Sequence, residues 1–170
     1  MKRVILTILL IVVALITPTV CVVKRIQFKQ DCSGYLKQAA DANTAEMALD
    51  RVNKALEYIE RNNLTDGYTS VLWKTEDENI GFWYENIKAC KAELEACLGS
   101  SQLEKTNVLM KVRESLTDSG EKGTVLTIPG GIYKYPHNLA FFICMCLSGI
   151  IGFILFVRLL NWVSKNDYWL

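Results

Sequence analysis

The chain has 170 residues, of which 51% are hydrophobic, and a formal net charge of +1 at pH 7. The charges are segregated: residues 24–138 hold 15 of the 19 basic and 17 of the 18 acidic residues, which gives that stretch a net charge of −2. A stretch without a basic excess cannot neutralise phosphates over a broad surface, so nucleic-acid binding is excluded as a function class.

The chain begins with an apolar run that predicts a membrane helix. Residues 4–23 carry no charge over 20 positions, and at about 1.5 Å of rise per residue such a helix crosses a hydrocarbon core of about 30 Å. The run exceeds the usual apolar part of a signal peptide, about 7–15 residues, and no small-residue cleavage site follows it. We therefore predict a cytoplasmic N-terminus, residues 1–3, and an uncleaved signal anchor that Pro18 kinks or ends.

Residues 24–122 predict an extramembrane helical domain, in which two helices come first. The shorter helix covers residues 33–42, with Leu36 and Ala39 facing inward. Asn43 followed by Glu46 is typical of an N-cap for the longer helix, and turn residues 62–67 follow its end. Its apolar stripe repeats at helical spacing: Ala45, Leu49, Val52, Leu56 and Ile59.

Two further helices are each predicted from a capping-box sequence. Thr75 with Glu78 precedes the first, and Ser101 with Glu104 precedes the second. The first carries the most regular heptad face of the chain: Ile80, Trp83, Ile87, Cys90, Leu94 and Cys97. The second carries Leu103, Leu109, Val112 and Leu116, and residues 118–120 are expected to end it. Short joins between amphipathic helices predict a small helical bundle, or a helical hairpin with an extra arm.

A β-prone segment and a second apolar run complete the chain. Residues 123–138 predict an extended juxtamembrane linker or a small hairpin, because residues 124–128 favour strand and Pro129 begins a turn. The run 139–157 has no charge over 19 positions, which predicts transmembrane helix 2 over residues 139–160 and a short tail over 161–170. The predicted fold class is all-α, with two transmembrane helices flanking the helical domain.

The charges beside the second run favour one orientation in the membrane. Arg158 and Lys165 follow the run and outweigh Lys134 before it, whereas the charges around the first run balance. We therefore expect both termini in the cytoplasm and the central domain outside.

Small residues form one stripe on each predicted membrane helix. Small side chains let membrane helices approach closely. Two hypotheses stay open: the stripes are a seam for a dimer or another subunit, or the two helices of one chain pack on each other. The stripes are Thr7, Ala14 and Cys21 on the first helix, and Cys144, Ser148 and Gly152 on the second.

The domain has three cysteines that open a redox question. Cys90 and Cys97 are two turns apart on one helix face, about 10 Å, so they cannot pair with each other. In an oxidising compartment Cys32 could bridge to either of them; three buried free thiols are the alternative. A single histidine, His137, and no C-x-x-C pair predict no metal site.

Aromatic side chains beside Trp83 are the candidates for a partner surface. Phe82 and Tyr84 lie off the apolar stripe, and exposed aromatic side chains are enriched where proteins meet. The alternative is that another helix covers them.

Three segments carry a resemblance: NNLTDGYTSVLWKTEDENIGFWYENIK, SQLEKTNVLMKVRE and TIPGGIYKYP. They resemble a group of small bacterial two-pass membrane proteins that have no assigned activity. The resemblance covers most of the chain, and it implies a compact helical domain between two membrane helices in a bacterial inner membrane. It implies no ligand and no catalytic residue.

These observations predict a protein that is not an enzyme and needs no cofactor, because no phosphate loop and no nucleophile–base pair stands out. The leading hypothesis is an accessory or scaffold subunit whose helical domain is an interaction module. Its expected partners are the lipid bilayer and other membrane subunits, or a second copy of the chain. The alternatives are a ligand-sensing extracytoplasmic domain that signals through its membrane helices, and a small channel or pore former.

Overall fold

A computed structural model describes residues 2–120 and 123–166. It divides into two compact units: one spans Arg25–Pro136, and the other contains the two ends of the chain, up to Lys24 and from His137. The elements are α1 (Lys2–Phe28), α2 (Gly34–Ala40), α3 (Ala45–Arg61), α4 (Ile80–Cys97), α5 (Gln102–Leu116), β1 (Thr117–Gly120), β2 (Gly123–Leu126) and α6 (Asn138–Asn166). The described chain is therefore mostly helical, as predicted, with one short hairpin.

The terminal unit contains one clear candidate for a membrane span. Asn138–Arg158 within α6 has a mean hydropathy of 2.7 and none of its most apolar window is buried, and it is the one helix of the described residues that meets the length and hydropathy criterion. The other predicted span, the N-terminal run over residues 4–23, stays a prediction.

Pro18 was predicted to kink or end the first helix, and the second alternative is wrong. α1 contains Pro18 and continues to Phe28. Proline removes a single backbone donor from a helix, and the helix continues through this position. Thr19 Oγ1 donates to the Leu15 carbonyl oxygen at 2.7 Å in the same turn.

The inward faces of α2 to α5 form most of the core of the Arg25–Pro136 unit, and Phe28, Cys32, Ala42, Leu64 and Ile132 complete it. Leu36 and Ala39 are buried on α2, as predicted. The predicted α3 stripe is buried except for Leu49, which is half-buried. The N-cap of α3 is Thr44 and not Asn43, because Thr44 has the extended backbone that an N-cap needs and its side chain accepts from the Met47 N–H.

The start of α4 also differs from the prediction. Thr75 and Glu78 belong to a separate 3₁₀ turn, Glu76–Glu78, in which Thr75 Oγ1 donates to Glu78 Oε2 at 2.9 Å. The N-cap of α4 is Asn79, whose Oδ1 accepts from the Phe82 N–H at 3.0 Å. All six residues of the predicted heptad face are buried.

Helix α5 begins as predicted. Ser101 and Glu104 form both bonds of the capping box, and Val112 and Leu116 are buried. Leu103 was expected on the inward stripe, but 71% of it is exposed. It lies in the first turn of α5, where the described chain does not cover it.

The segment that follows α5 is a strand and not a helix-ending turn. β1 pairs with β2 antiparallel, from Thr117 opposite Leu126 to Gly120 opposite Gly123. This hairpin differs from the one that the sequence offered as an alternative within residues 123–138, because its first strand consists of residues that the sequence assigned to the end of a helix. The compact unit continues through Pro136 and includes this hairpin.

The loop between α3 and α4 has the left-handed backbone that its sequence predicts. Asn63 and Gly67 have φ of 54° and 100°. A Cβ atom built on Gly67 would collide with Tyr135 Oη, and the positive φ also favours glycine at this position.

Candidate binding groove

A groove of about 600 Å³ opens on the surface of the Arg25–Pro136 unit. We call it the α4–hairpin groove. Its lining comes from the 3₁₀ turn Glu76–Glu78, the first turns of α4, the last turn of α5, Asp118 of β1, and residues 125–130. These segments lie far apart in the sequence, so the groove exists only because the helices and the hairpin pack together.

Helix α4 supplies the apolar wall of the groove. Asn79 caps the helix and sets the direction in which its first turn points. Successive helix residues project about 100° apart, so Trp83 enters the core at 5% exposure while Phe82 stays 67% exposed at the rim. Ile87 lies one turn further along the same wall.

The indole of Trp83 adds a polar feature to this wall. Its Nε1 is buried and has no hydrogen-bond acceptor among the residues that the structure describes. A buried donor left without an acceptor costs about 1–3 kcal/mol.

One side of the groove carries negative charge. Glu76, Asp77 and Asp118 contribute to the lining, and no described lysine, arginine or histidine does. Glu76 Oε2 accepts a long hydrogen bond of 3.4 Å from Asn79 Nδ2. The groove is therefore apolar along α4 and acidic at the 3₁₀ turn.

Residues 125–130 form the wall opposite α4. They continue from the second strand of the hairpin, and the Thr127 N–H donates to the Leu116 carbonyl oxygen at 2.9 Å. This bond holds the segment beside the end of α5. The sequence predicted an extended segment here but assigned it to a linker, so it gave no sign of a groove wall.

The structure places Phe82 and Tyr84 in different surroundings. Phe82 lines the groove. The Tyr84 ring is half-buried, and its hydroxyl donates to Glu60 Oε1 at 2.9 Å. This hydrogen bond, reinforced by partial burial, raises the pKa of Tyr84. Tyr84 thus ties α4 to α3 and is not part of the groove lining.

The three domain cysteines are buried free thiols. Burial, together with the nearby charge of Asp31, raises the pKa of the Cys32 thiol from 9.0 to about 12. Burial also raises the pKa of Cys90, and Cys97 Sγ donates to the Leu94 carbonyl oxygen. Because the thiolate is the reactive form, the raised pKa values make Cys32 and Cys90 chemically quiet thiols.

The small-residue stripes of the terminal helices are only partly covered by the described part of this chain. Ala14 and Cys21 are half-buried, and the side chain of Thr7 lies outside the described part. Cys144 is exposed and Ser148 half-buried. A Cβ atom built on Gly152 would meet no other heavy atom within 4 Å, so no described segment of this chain packs closely there.

Metal chemistry finds no support in the described residues, where no three His, Cys, Asp or Glu side chains come together to hold an ion. The sequence reasoning missed Leu72 and Trp73, two neighbouring apolar side chains that are largely exposed in the loop before α4. They follow no helical or strand period, so no sequence pattern marked them.

Comparison with protein-family models, curated proteins and solved structures finds no match for this chain.

Proposed function

We propose that this protein is a non-enzymatic membrane protein whose domain, Arg25–Pro136, binds a partner protein as an accessory or scaffold subunit of a membrane assembly. Helix α6 anchors the chain and residues 4–23 form a second span. Both termini lie in the cytoplasm of a bacterial cell, and the domain lies outside the inner membrane.

The observation that carries this proposal is Phe82 at the rim of the α4–hairpin groove. Phe82 is 67% exposed beside an apolar wall, so a partner that covers its ring lowers the free energy by burying apolar surface. Interfaces place such aromatic anchors at their centre, where loss of the ring weakens binding most. The quiet thiols and the lack of a metal-ligand cluster in the described chain leave binding as the activity that the geometry favours.

Site-specific photo-crosslinking tests this function. A photoreactive phenylalanine analogue replaces Phe82 in the full-length protein, and living cells are irradiated before the membranes are solubilised. Leu103 is the matched control position, because 71% of it is exposed but it does not line the groove. We expect a discrete protein adduct from position 82 and none from position 103. No adduct from position 82, or the same adducts from both positions, would refute the proposal.

A ligand-sensing domain is the second candidate, and the size of the groove favours it. Small-molecule sites are typically about 300–1,000 Å³, and this groove has about 600 Å³. In that case the Phe82 position would yield no protein adduct, while Phe82→Ala would still abolish a small-molecule-dependent rise in the thermal stability of the domain.

A further inference from the structure

The groove wall formed by residues 125–130 includes the end of a strand. All six residues line the groove, and Val125 and Leu126 are the last two residues of β2, whereas residues 127–130 follow the strand. A strand at the edge of a sheet presents backbone N–H and C=O groups beside its side chains. The end of β2 therefore brings backbone groups as well as side chains to this wall.

The register of the hairpin tells which backbone groups this edge presents. Thr127 donates its N–H to the Leu116 carbonyl oxygen, and Thr117 lies opposite Leu126. Backbone groups alternate between the two edges of a strand in an antiparallel pair. The N–H and C=O of Leu126 therefore point away from β1. Over the described residues the sheet has two strands, so no third strand pairs with this edge.

The opposite walls restrict what can lie along the edge. Phe82 provides exposed apolar surface, and Glu76 and Asp77 provide negative charge, while no described basic side chain lines the groove. An occupant with an apolar side chain and a positive charge matches these walls. An acidic occupant would be repelled.

We propose that the α4–hairpin groove binds an extended segment of the partner protein, which adds as a third strand to the free edge of β2. An apolar side chain of that segment packs on Phe82, and a lysine or arginine lies beside Glu76 and Asp77. This inference rests on the proposed function and names the chemistry of the partner. Strand addition to a free sheet edge is an established mode of peptide recognition, and the outward N–H and C=O of Leu126 match the backbone of a peptide better than a compact amine does.

Peptide binding to the full-length protein in lipid nanodiscs tests the inference. The probe is a fluorescent, end-capped peptide of alternating valine and lysine, and its anisotropy is measured against protein concentration. A second probe has glutamate in place of lysine. Two further probes are N-methylated on alternate amides, one on the odd positions and the other on the even positions.

Strand addition uses every second amide of the added strand. We therefore expect one N-methylated peptide to lose about tenfold or more in affinity and the other to bind like the parent. The glutamate peptide should bind at least about tenfold more weakly than the lysine peptide, because like charges oppose its approach.

Paired charge substitutions test the acidic side of the groove. Glu76→Gln with Asp77→Asn should weaken lysine-peptide binding by about tenfold. The matched control is Asp41→Asn with Glu57→Gln, which removes the same charge from exposed positions outside the groove and should leave affinity unchanged. Equal losses in both variants would show a general charge effect and overturn the proposed contact.

The remaining outcomes assign the groove to another occupant. Equal binding of both N-methylated peptides overturns strand addition. Binding of 4-phenylbutylamine with no binding of any peptide assigns the groove to a small organic cation. A dimer of the chain alone that Phe82→Ala abolishes assigns it to a second copy. If position 82 forms a protein adduct but no peptide binds, this inference is wrong and the proposed function stands. If position 82 forms no protein adduct, the proposed function is wrong, and this inference falls with it.

Discussion

Phe82 and Trp83 are sequence neighbours with opposite environments, and this contrast is the basis of the first prediction. Trp83→Ala should lower the free energy of unfolding by about 3–5 kcal/mol, as large-to-small core changes do. Phe82→Ala should change it by less than about 0.5 kcal/mol, because the ring is mostly exposed. Trp83→Phe should cost less than Trp83→Ala, since it keeps a ring and removes the unsatisfied N–H.

Pulse proteolysis of the full-length protein in urea measures these changes, because the protease cuts only the unfolded fraction. If Phe82→Ala unfolds the domain as severely as Trp83→Ala, the exposed ring has a structural role. The groove would then lose its proposed anchor.

The second prediction at the residue scale concerns Cys32 and alkaline pH. Its folded-state pKa of about 12 lies above the unfolded value of 9.0. Below pH 9 the thiol is protonated in both states and its contribution to stability is complete. As pH rises from 9 towards 12 the unfolded thiol ionises first, so the free energy of unfolding falls across this window.

Urea unfolding at about pH 8 and about pH 11 checks this dependence. Cys32→Ala should be less stable than the parent at the lower pH, because it leaves a cavity, but it should lose less stability between the two. Tyr84, whose pKa is also raised, occurs in both proteins and cancels in the difference. Burial and then the charge of Cys32 raise the pKa of Tyr58, so the part that comes from Cys32 belongs to the Cys32 effect. Parallel losses in the two proteins would contradict the assignment to Cys32.

The start of α4 leads to a prediction about an element. Asn79→Ala should destabilise the domain by about 1 kcal/mol, because it removes the acceptor of the Phe82 N–H. Thr75→Ala should cost clearly less, since Thr75 bonds only to Glu78 within an exposed turn. Asn79→Asp should retain most of the stability, because aspartate is an equally good N-cap. A larger loss from Thr75→Ala than from Asn79→Ala would restore the capping box predicted from the sequence.

The orientation of the whole molecule leads to the last prediction. Met110→Cys places a thiol on the exposed face of α5, where 57% of the native side chain is accessible. We expect a membrane-impermeant maleimide to label this variant in intact cells, because the domain is proposed to lie outside. Both the variant and its control carry serine at Cys21, Cys144 and Cys146, because these thiols are not buried, whereas Cys32, Cys90 and Cys97 are buried. The control keeps Met110. Labelling only after the cells are opened would invert the proposed topology.

The sequence by itself determined the features that depend on local periodicity and composition. The heptad face of α4 is buried at every predicted position, and the Ser101–Glu104 capping box has both of its bonds. The second apolar run was also predicted from the sequence, because its length and hydropathy alone indicate a helix that can cross a membrane. Phe82 was found for the same reason: it lies off a stripe whose period is visible in the sequence.

Only the tertiary structure decided which segments meet. Asn79 and Thr75 are both good cap residues, and packing of α4 selects Asn79. The Leu116 carbonyl oxygen accepts from the Thr127 N–H because the β1–β2 hairpin brings them together, and the sequence analysis predicted part of this hairpin to be the end of a helix. The α4–hairpin groove follows from the same contact, because its walls come from residues that are about 40 positions apart and share no sequence period.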